Sequence, residues 1–355
     1  MLAQDIINAK SIAYAATEAA SNKIPYLGLG FFPEQKKAGI DLRWIKGHKG
    51  VTPILAPSNF DALPVLKTRE GFKIESTEMP FFRESLQITE RDLIEIGRAE
   101  DSQDEYLIAA LRSVYDDTNN LIASAEVVGE VMRMQLLSAA NGHPSIGIQA
   151  DGVNYAYNYD VDGTYATDNY KALTGTSAWT DATNSTPITD LQTAIQALNN
   201  KGVATRYILM NSVTFGYLRA SQQVKSIALT TNAAGTIFMT DTVVRQILLD
   251  TLGVEVLVYD KTYVNGAGNT VKYYPDSQVT LLPEGTLGNT WYGSTPAERS
   301  IGQVKNADTT IYGTGIAITT EPEIKSGVYK FVTTASEIVL PSYENMDSTY
   351  VIKVA

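Results

Sequence analysis

Cysteine is absent from the 355-residue sequence, and histidine occurs only twice. Without cysteine the chain has no disulfide bond, no thiolate nucleophile and no zinc site built on sulfur, which fits a protein that matures in a reducing compartment. His48 lies in a glycine-flanked turn and His143 at the end of a predicted helix, and neither belongs to a pattern such as H-E-x-x-H. We therefore expect surface or capping roles for both histidines.

Positive charge and long apolar runs are also scarce. The chain has 28 Lys and Arg against 39 Asp and Glu, a formal net charge of −11. This balance argues against a surface that grips nucleic acid, because phosphate contacts require clustered cations, but it allows a protein that encloses DNA without holding it. No apolar stretch reaches transmembrane length, and Asp5 and Glu18 interrupt the N-terminal segment, which is typical of neither a signal peptide nor an anchor.

The first 90 residues contain little that can form a core of their own. Residues 1–24 are rich in alanine with the periodicity of an amphipathic helix, which predicts an N-terminal arm. Residues 40–89 contain strand-like segments and several prolines but no helical periodicity. Within them Phe72 and Ile74 alternate with charged residues, and Pro80 interrupts the strand. The pattern predicts a long two-stranded projection that buries little of itself.

A long helix is predicted after the projection. Thr89 and Asp92 can cap a first helical turn, and Ser102 and Glu105 form an S-x-x-E capping box for a second helix. Apolar residues then recur mostly at steps of three or four, at Leu107, Leu111, Val114, Leu121, Ala125, Val128, Met132 and Leu136. An Asn-Gly-His-Pro stop begins at Asn141. We expect one continuous helix over residues 103–140 whose apolar face packs on a sheet.

The remainder of the chain alternates strands with helices. The predicted strands include SIGIQA, VNYAYNYDV, ATRYILMN and VEVLVYD, and the predicted helices are ITDLQTAIQALNNKG, SVTFGYLRA and TDTVVRQILLDTLG. This order predicts an α/β subdomain. Two further strand-like runs flank the turn in KTYVNGAGNTVKYY, and the chain ends in strands.

One loop resembles part of a calcium site. Asn158, Asp160, Asp162 and Gly163 follow the first half of an EF-hand loop, in which alternate oxygen ligands and a glycine turn wrap the ion. The twelfth position is Asn169 instead of a bidentate glutamate, and no helices are predicted on either side. The pattern therefore favours a solvated turn over a cation site.

Tyrosines and carboxylates offer only weak signals. Tyr155, Tyr157 and Tyr159 could form a sugar-binding or adhesive surface, but their period of two favours one face of a strand. Asp116 and Asp117 are expected on the solvent face of the long helix. A carboxylate pair for glycoside hydrolysis is recognised by the distance between the two carboxyl groups in the folded protein, which the sequence does not give.

The order of segments resembles the major capsid protein of tailed bacteriophages, and most of all the lambda-like capsid protein E family. The resemblance rests on EGFKIESTEMPFFRES running into ITERDLIEIG, on TSAWTDATNSTPITDLQTAIQAL followed by ATRYILMN, and on EIVLPSYENMDSTYVIKVA. It covers nearly the whole chain. It implies an α+β protein with the tailed-phage major-capsid fold, made of an N-terminal arm, an extended β-hairpin loop, a peripheral domain with a long spine helix, and an axial α/β domain.

The resemblance also implies a division of the chain and a role for the projection. The expected parts are the N-terminal arm 1–39, the extended loop 40–89, the peripheral domain 90–180, the axial domain 181–312, and C-terminal strands 313–355 that return to the peripheral domain. The projection need not bury itself, since it would lie across an adjacent subunit. The passage from Phe82 to Asp92 would be its hinge.

The implied function is structural. The protein would have no active site, cofactor or metal, and would self-assemble into the hexamers and pentamers of an icosahedral shell around double-stranded phage DNA. Scaffold, portal and decoration proteins would be its other partners, without a membrane or sequence-specific DNA binding. It would be made in the bacterial host cytoplasm and end in the virion. The arm is short, so either the chain is a mature form or scaffolding comes from a separate protein, and Met1 favours the second.

Two alternatives stay open, a tyrosine-rich binding or adhesion module and an acidic glycoside hydrolase. If the chain is a capsid subunit, the charges of two segments predict a contact between the projection of one subunit and the long helix of another. The basic segment RWIKGHKG lies near its tip, and the acidic segment AEDSQDE begins the long helix. We predict contacts between one subunit's cations and another's carboxylates, namely Arg43, Lys46 and Lys49 with Glu100, Asp101, Asp104 and Glu105. The alternative is that the basic and the acidic segment make no such contact and are both exposed to solvent.

Overall fold

The computed structural model describes residues 25–46, 73–94, 105–150, 153–231, 239–301, 307–325 and 327–355. For residues 105–118 the description extends only to the backbone. The chain divides into two units, the first drawn from 1–42, 76–131 and 289–342, and the second from 43–75, 132–288 and 343–355.

Helices and strands are both well represented in the described residues. The helices are α1 (Gly28–Phe31), α2 (Glu105–Ser138), α3 (Thr164–Asp168), α4 (Pro187–Asn200), α5 (Ser212–Ala220), α6 (Gln222–Thr231), α7 (Asp241–Leu252) and α8 (Pro296–Arg299). The strands are β1 (Glu34–Lys36), β2 (Asp41–Lys46), β3 (Lys73–Glu78), β4 (Phe81–Ile88), β5 (Ser145–Ala150), β6 (Val153–Asn158), β7 (Tyr170–Ala172), β8 (Thr205–Met210), β9 (Glu255–Val258), β10 (Thr262–Val264), β11 (Thr270–Lys272), β12 (Gln278–Pro283), β13 (Asn289–Tyr292), β14 (Asp308–Tyr312), β15 (Ile316–Lys325), β16 (Val328–Ser342) and β17 (Tyr350–Lys353).

The first unit is built around the long strand β16. One side of β16 pairs antiparallel with β15, while the other side pairs with β4 and then with β13. Strand β14 extends the sheet beyond β15, and β1 pairs in parallel with β13. The break between β3 and β4 falls at Pro80, as the sequence predicts, because proline has no N–H for a ladder.

The long helix α2 confirms the predicted spine. The middle of the helix packs on the sheet of the first unit, where buried Leu121 meets Ile316 and Ala335, and Ala125 lies against the same cluster. The helix ends at Ser138, slightly before the predicted end, because Ala139 adopts a positive φ of 43° and begins a turn. That turn closes with a hydrogen bond of 2.8 Å from the Gly142 N–H to the Ala139 carbonyl.

The helical start at Thr89 is also confirmed. Residues 90–94 are helical, and the Thr89 N–H and hydroxyl both donate to Asp92 Oδ2, at 3.0 and 2.7 Å. These hydrogen bonds hold the pKa of the Asp92 carboxyl below its ordinary value. The predicted hinge at Phe82 to Asp92 is a regular strand over most of its length, since β4 pairs with β16 from Phe81 to Ile88.

The second unit contains the predicted α/β arrangement. Its five-stranded sheet has the order β7-β17-β12-β8-β9, with β8 and β9 parallel as expected for a strand, helix, strand crossover. The final strand β17 inserts between β7 and β12. The helices α4, α5, α6 and α7 bury their apolar sides in one cluster with the sheet, which includes Trp179, Leu191, Ile208, Val244 and Ile352.

Local sequence explains where these helices begin and end. The Asn211 side chain accepts from the Thr214 N–H at 2.9 Å and caps α5, and the Thr240 hydroxyl caps α7. Pro187 occupies the first turn of α4, where its missing N–H costs nothing. Gly253 closes α7 in the left-handed conformation, φ 71°, as the sequence predicts. The remaining small sheets are the ribbons β2-β3, β5-β6 and β10-β11.

Candidate assembly surfaces

Most of the predicted intersubunit contact residues lie outside the described residues. Arg43 and Lys46 belong to β2, and Arg43 is exposed, while Glu105 is the first residue of α2. The rest of the set, Lys49, Glu100, Asp101 and Asp104, falls in segments that the structure does not describe. The pairing between subunits is not tested and stays a prediction.

The base of the projection is well packed. Strands β2 and β3 form a two-stranded ribbon, and Leu42 at its start is completely buried. Met79, just after β3, is 3 % exposed, and its N–H donates to the Ile40 carbonyl at 2.9 Å. The burial of Leu42 and Met79 and this hydrogen bond fix the base of the ribbon.

The contact of α2 with the sheet includes one polar pair. The Tyr312 hydroxyl donates to Glu126 Oε1 at 3.3 Å. Burial, together with the negative charge of Glu126, raises the pKa of Tyr312 to about 12. The phenol therefore stays protonated at neutral pH, and the pair orients the helix on the strands without introducing a second charge.

Two hairpins each carry more than one of the exposed apolar side chains. Val264 in the β10-β11 hairpin is 65 % exposed, and Ile324 in the β15-β16 hairpin is 71 % exposed, with Val328 and Tyr329 exposed nearby. A single exposed apolar residue is ordinary, but a group at one hairpin end is a candidate contact surface. Sequence reasoning missed this group. The two-residue gap between β15 and β16, with Gly327 at φ 83°, is the hairpin signal that could have located it.

In the loop that resembles a calcium site, the Asp160 carboxylate forms hydrogen bonds within the protein. Asp160 Oδ1 accepts from the Tyr165 N–H and Oδ2 from the Ala166 N–H, both at 3.0 Å, so this carboxylate caps α3. The Asp160 N–H donates to Asn158 Oδ1 at 2.9 Å. The prediction of a solvated turn is wrong at Asp160, which is 4 % exposed because it satisfies buried backbone donors. Within the described ranges, no group of three or more His, Asp or Glu is placed to hold a metal ion.

The tyrosine-rich segment is part of a strand, as its period predicts. Tyr155 and Tyr157 on β6 are half-buried, whereas Asn154 and Ala156, which alternate with them, are exposed. Tyr159 is buried, and its ring stacks on Trp44 with ring centroids 5.6 Å apart. These rings serve packing of the second unit. His143 lies half-buried in the turn after α2, while His48 falls outside the described segments.

A buried network of phenols and threonines stabilises the second unit. The Thr349 hydroxyl lies 3.1 Å from the Tyr165 hydroxyl and 2.9 Å from that of Tyr343. The Tyr274 hydroxyl lies 2.8 Å from Thr280 Oγ1, which donates to the Leu137 carbonyl at 2.7 Å. Burial is the main cause that raises the pKa of all three phenols. Because every hydroxyl is engaged inside the core, the network is structural.

The chain is similar to known proteins over most of its length. The family model described as phage major capsid protein E matches residues 10–323. No curated protein sequence matches significantly. A crystal structure of a prophage protein from Escherichia coli CFT073, described as a capsid protein, is 10 % identical with a TM-score of 0.60, covering 98 % of this chain and 99 % of that one. A phage-related protein from Bordetella bronchiseptica RB50 is 14 % identical with a TM-score of 0.52, covering 98 % of this chain and 97 % of that one. At these identities the two structures show a shared α+β fold.

Among the described helices, none combines the length and apolarity that a membrane span requires.

Proposed function

The chain belongs to the phage major capsid protein E family and forms a capsid shell, and we propose that this shell is an icosahedral head around double-stranded phage DNA. Self-association and a place in the virion follow from the family. The observation that carries the proposal is the family match over residues 10–323, supported by the fold shared with the prophage capsid protein. The net charge of −11 fits a wall that encloses DNA without gripping it.

The proposed parts of the subunit are those implied by the sequence, with an arm 1–39, an extended loop 40–89, a peripheral domain 90–180, an axial domain 181–312 and C-terminal strands 313–355. The ribbon β2-β3 supports the extended loop, because a two-stranded ribbon is marginally stable by itself and gains stability on a neighbour. Scaffold, portal and decoration proteins are proposed as partners, and synthesis in the host cytoplasm precedes assembly.

The proposed role is structural, without catalysis. The carboxylate of the calcium-like loop caps a helix, and the tyrosine-rich strand packs within the protein. The packing of the tyrosines favours the capsid over the adhesion module, and neither the adhesion module nor the glycoside hydrolase has support from the family or the fold.

Electron microscopy of the purified protein during concentration tests the function. We expect closed shells, or tubes and sheets of the same subunit lattice. Persistent monomers at every concentration and salt condition, also in the presence of a scaffold from the same phage, would contradict a shell-forming role. Shells that assemble equally well with and without DNA are expected, because the acidic chain gives DNA no cationic surface to organise assembly.

The predicted contact between the projection and the long helix has its own test. Lys46→Glu with Lys49→Glu should slow assembly, and added salt should then speed assembly of the variant more than of the parent, because the lysine charges are proposed to meet Asp101 and Asp104 of another subunit and the glutamates would be repelled there. Exposed pairs contribute at most about 1 kcal/mol each, but a shell repeats the contact many times. Rescue by Asp101→Lys with Asp104→Lys would establish the pairing. Equal rates and equal salt dependence for parent and variant would refute it.

A further inference from the structure

The sequence contains two Asn-Gly pairs, Asn141-Gly142 and Asn265-Gly266, and the structure holds them in different ways. In such a pair the glycine nitrogen can attack the carboxamide carbon of the preceding asparagine, because glycine has no Cβ that blocks the approach. The attack closes a cyclic imide and expels ammonia. Since both pairs consist of the same residues, their surroundings decide how fast each of them reacts.

Asn265 is the first residue of the turn between β10 and β11, and hydrogen bonds across the turn fix its position. The Asn265 N–H donates to the Asn269 carbonyl at 2.9 Å, and the Gly268 N–H donates to the Asn265 carbonyl at 2.9 Å. The two strands on either side pair in antiparallel register. The turn therefore holds the Asn265 side chain in a defined place beside Gly266.

Two backbone donors point at the side-chain oxygen of Asn265. The Ala267 N–H donates to Asn265 Oδ1 at 3.1 Å, and the Asn269 N–H donates to the same oxygen at 3.0 Å. When a nucleophile adds to the carboxamide carbon, this oxygen takes up negative charge. Donors at such distances stabilise that charge in the way an oxyanion hole does, so the turn favours attack on Asn265.

The attacking nitrogen and the leaving group at this pair are both accessible. Gly266 is exposed, and within the described ranges its N–H has no protein acceptor, so solvent base can remove the proton. Asn265 Nδ2 likewise donates to no group in the described part of the chain, so no hydrogen bond holds it back when it leaves as ammonia.

The pair at Asn141 lacks these features. The Gly142 N–H donates to the Ala139 carbonyl at 2.8 Å, so the attacking nitrogen is engaged in closing the turn after α2. Gly142 is half-buried beside the Tyr170 ring. Among the residues that the structure describes, no N–H donates to the Asn141 side chain. Attack on Asn141 would break the turn and would find no donor for the developing charge.

We propose that Asn265 is a self-modifying site, which converts to aspartate and isoaspartate without an enzyme. Solvent base takes the proton of the Gly266 N–H, the nitrogen bonds to Asn265 Cγ, and the Cγ–Nδ2 bond breaks to release ammonia. Water then opens the imide. Opening at Cγ leaves aspartate, and opening at the backbone carbonyl leaves isoaspartate, in which the main chain runs through the side chain. Overall, one water is consumed and one ammonia is released.

The conversion changes both charge and backbone at an exposed hairpin. It adds one negative charge to a chain of net charge −11, and isoaspartate lengthens the backbone of the turn by one methylene. Such a chemical change is irreversible, so it accumulates in a protein that persists for a long time, as the subunit of a shell does. The inference does not depend on the proposed head, since the reaction takes place within one chain.

Peptide mapping by mass spectrometry measures both pairs in the same sample of the full chain, incubated in isotopically labelled water. We expect Asn265 to convert at least about tenfold faster than Asn141, because an oxyanion donor can change a rate by that much or more. One labelled oxygen should enter at residue 265, and the rate should rise with pH, because the attacking nitrogen must lose its proton. Equal rates at the two pairs, or faster conversion of Asn141, would overturn the proposal.

The same measurement on the urea-denatured chain separates the effect of the structure from that of the neighbouring sequence. Both pairs lose their turns on unfolding, so we expect similar rates at Asn265 and Asn141 there. A preference for Asn265 that persists in urea would overturn the argument from the turn.

Gly266→Ala is the matched variant, because the backbone at residue 266 does not have a positive φ and so accepts alanine. The added methyl group hinders the attacking nitrogen, so conversion of Asn265 should slow in the folded variant while Asn141 converts at the parent rate. Unchanged conversion of Asn265 in this variant would contradict attack by residue 266.

Discussion

Replacing Leu121 by aspartate should unfold the sheet of the first unit. Leu121 is 7 % exposed and forms an apolar cluster with Ile316 and Ala335, against which Leu86 and Tyr312 pack. Removing the leucine forfeits about 2 kcal/mol of burial, and placing a carboxylate there adds several kcal/mol because it has no partner. The sum is roughly 5 kcal/mol or more, which is comparable with the whole stability of a typical domain.

Thermal unfolding at two pH values separates the charge from the lost packing. Burial raises the pKa of an aspartate, so the deficit of Leu121→Asp should be largest at neutral pH and shrink as the pH falls through that raised pKa. Leu121→Asn lacks the charge, and its deficit should not depend on pH in this way. Ser124→Asp, on an exposed position of the same helix, should change the free energy of unfolding by less than about 0.5 kcal/mol.

The decisive result is the difference between positions 121 and 124. If Leu121→Asp melts like the parent while Ser124→Asp melts lower, the assigned face of α2 is wrong. If Leu121→Asp and Leu121→Asn lose equal stability at both pH values, the argument from an unpaired charge is refuted, although the packing argument stands.

Three further predictions concern other parts of the fold. Gly293→Ala should lose about 1–3 kcal/mol, because its new Cβ would lie 2.8 Å from the Gly39 carbonyl oxygen, whereas Gly30→Ala meets nothing within 4 Å and should be tolerated in the same melts. Burial raises the pKa of the Tyr343 phenol above its ordinary value of 10.0, so its contribution should be complete below pH 10 and be lost as the pH rises further, which melting against pH and tyrosinate absorbance can follow. Asp160→Ala should lower the melting temperature equally with calcium and with chelator, because the carboxylate caps α3; a calcium-dependent stabilisation of the parent that this variant abolishes would contradict the capping role.

Elements with a strong local signal could be predicted from the sequence. The spine α2 carries an apolar period over many turns, and its described part, Glu105–Ser138, lies within the predicted 103–140 and ends slightly before the predicted end. The start at Thr89 and the end of α7 at Gly253 depend on side-chain and backbone chemistry that is visible in the residues themselves. The parallel pairing of β8 with β9 follows from their order around the intervening helices.

Features that depend on distant partners could not be predicted. Asp160 is buried because its carboxylate accepts hydrogen bonds from the first turn of α3. The EF-hand pattern gives no information about these contacts. The insertion of β17 between β7 and β12 joins residues far apart in sequence. Exposure of Ile324 is also nonlocal, because its alternation with polar residues is that of a buried strand, and only the ends of β14 and β4 show that nothing in the described chain covers it.

Salt tests the proposed contact between the projection and the long helix. The pairing of Lys46 and Lys49 with carboxylates of another subunit is electrostatic, so it weakens as the Debye length falls below about 10 Å near 0.1 M salt. Salt also screens the general repulsion between chains of net charge −11. In Lys46→Glu with Lys49→Glu the paired attraction becomes repulsion, so added salt should speed assembly of the variant more than assembly of the parent; an equal response of both to salt would contradict the pairing.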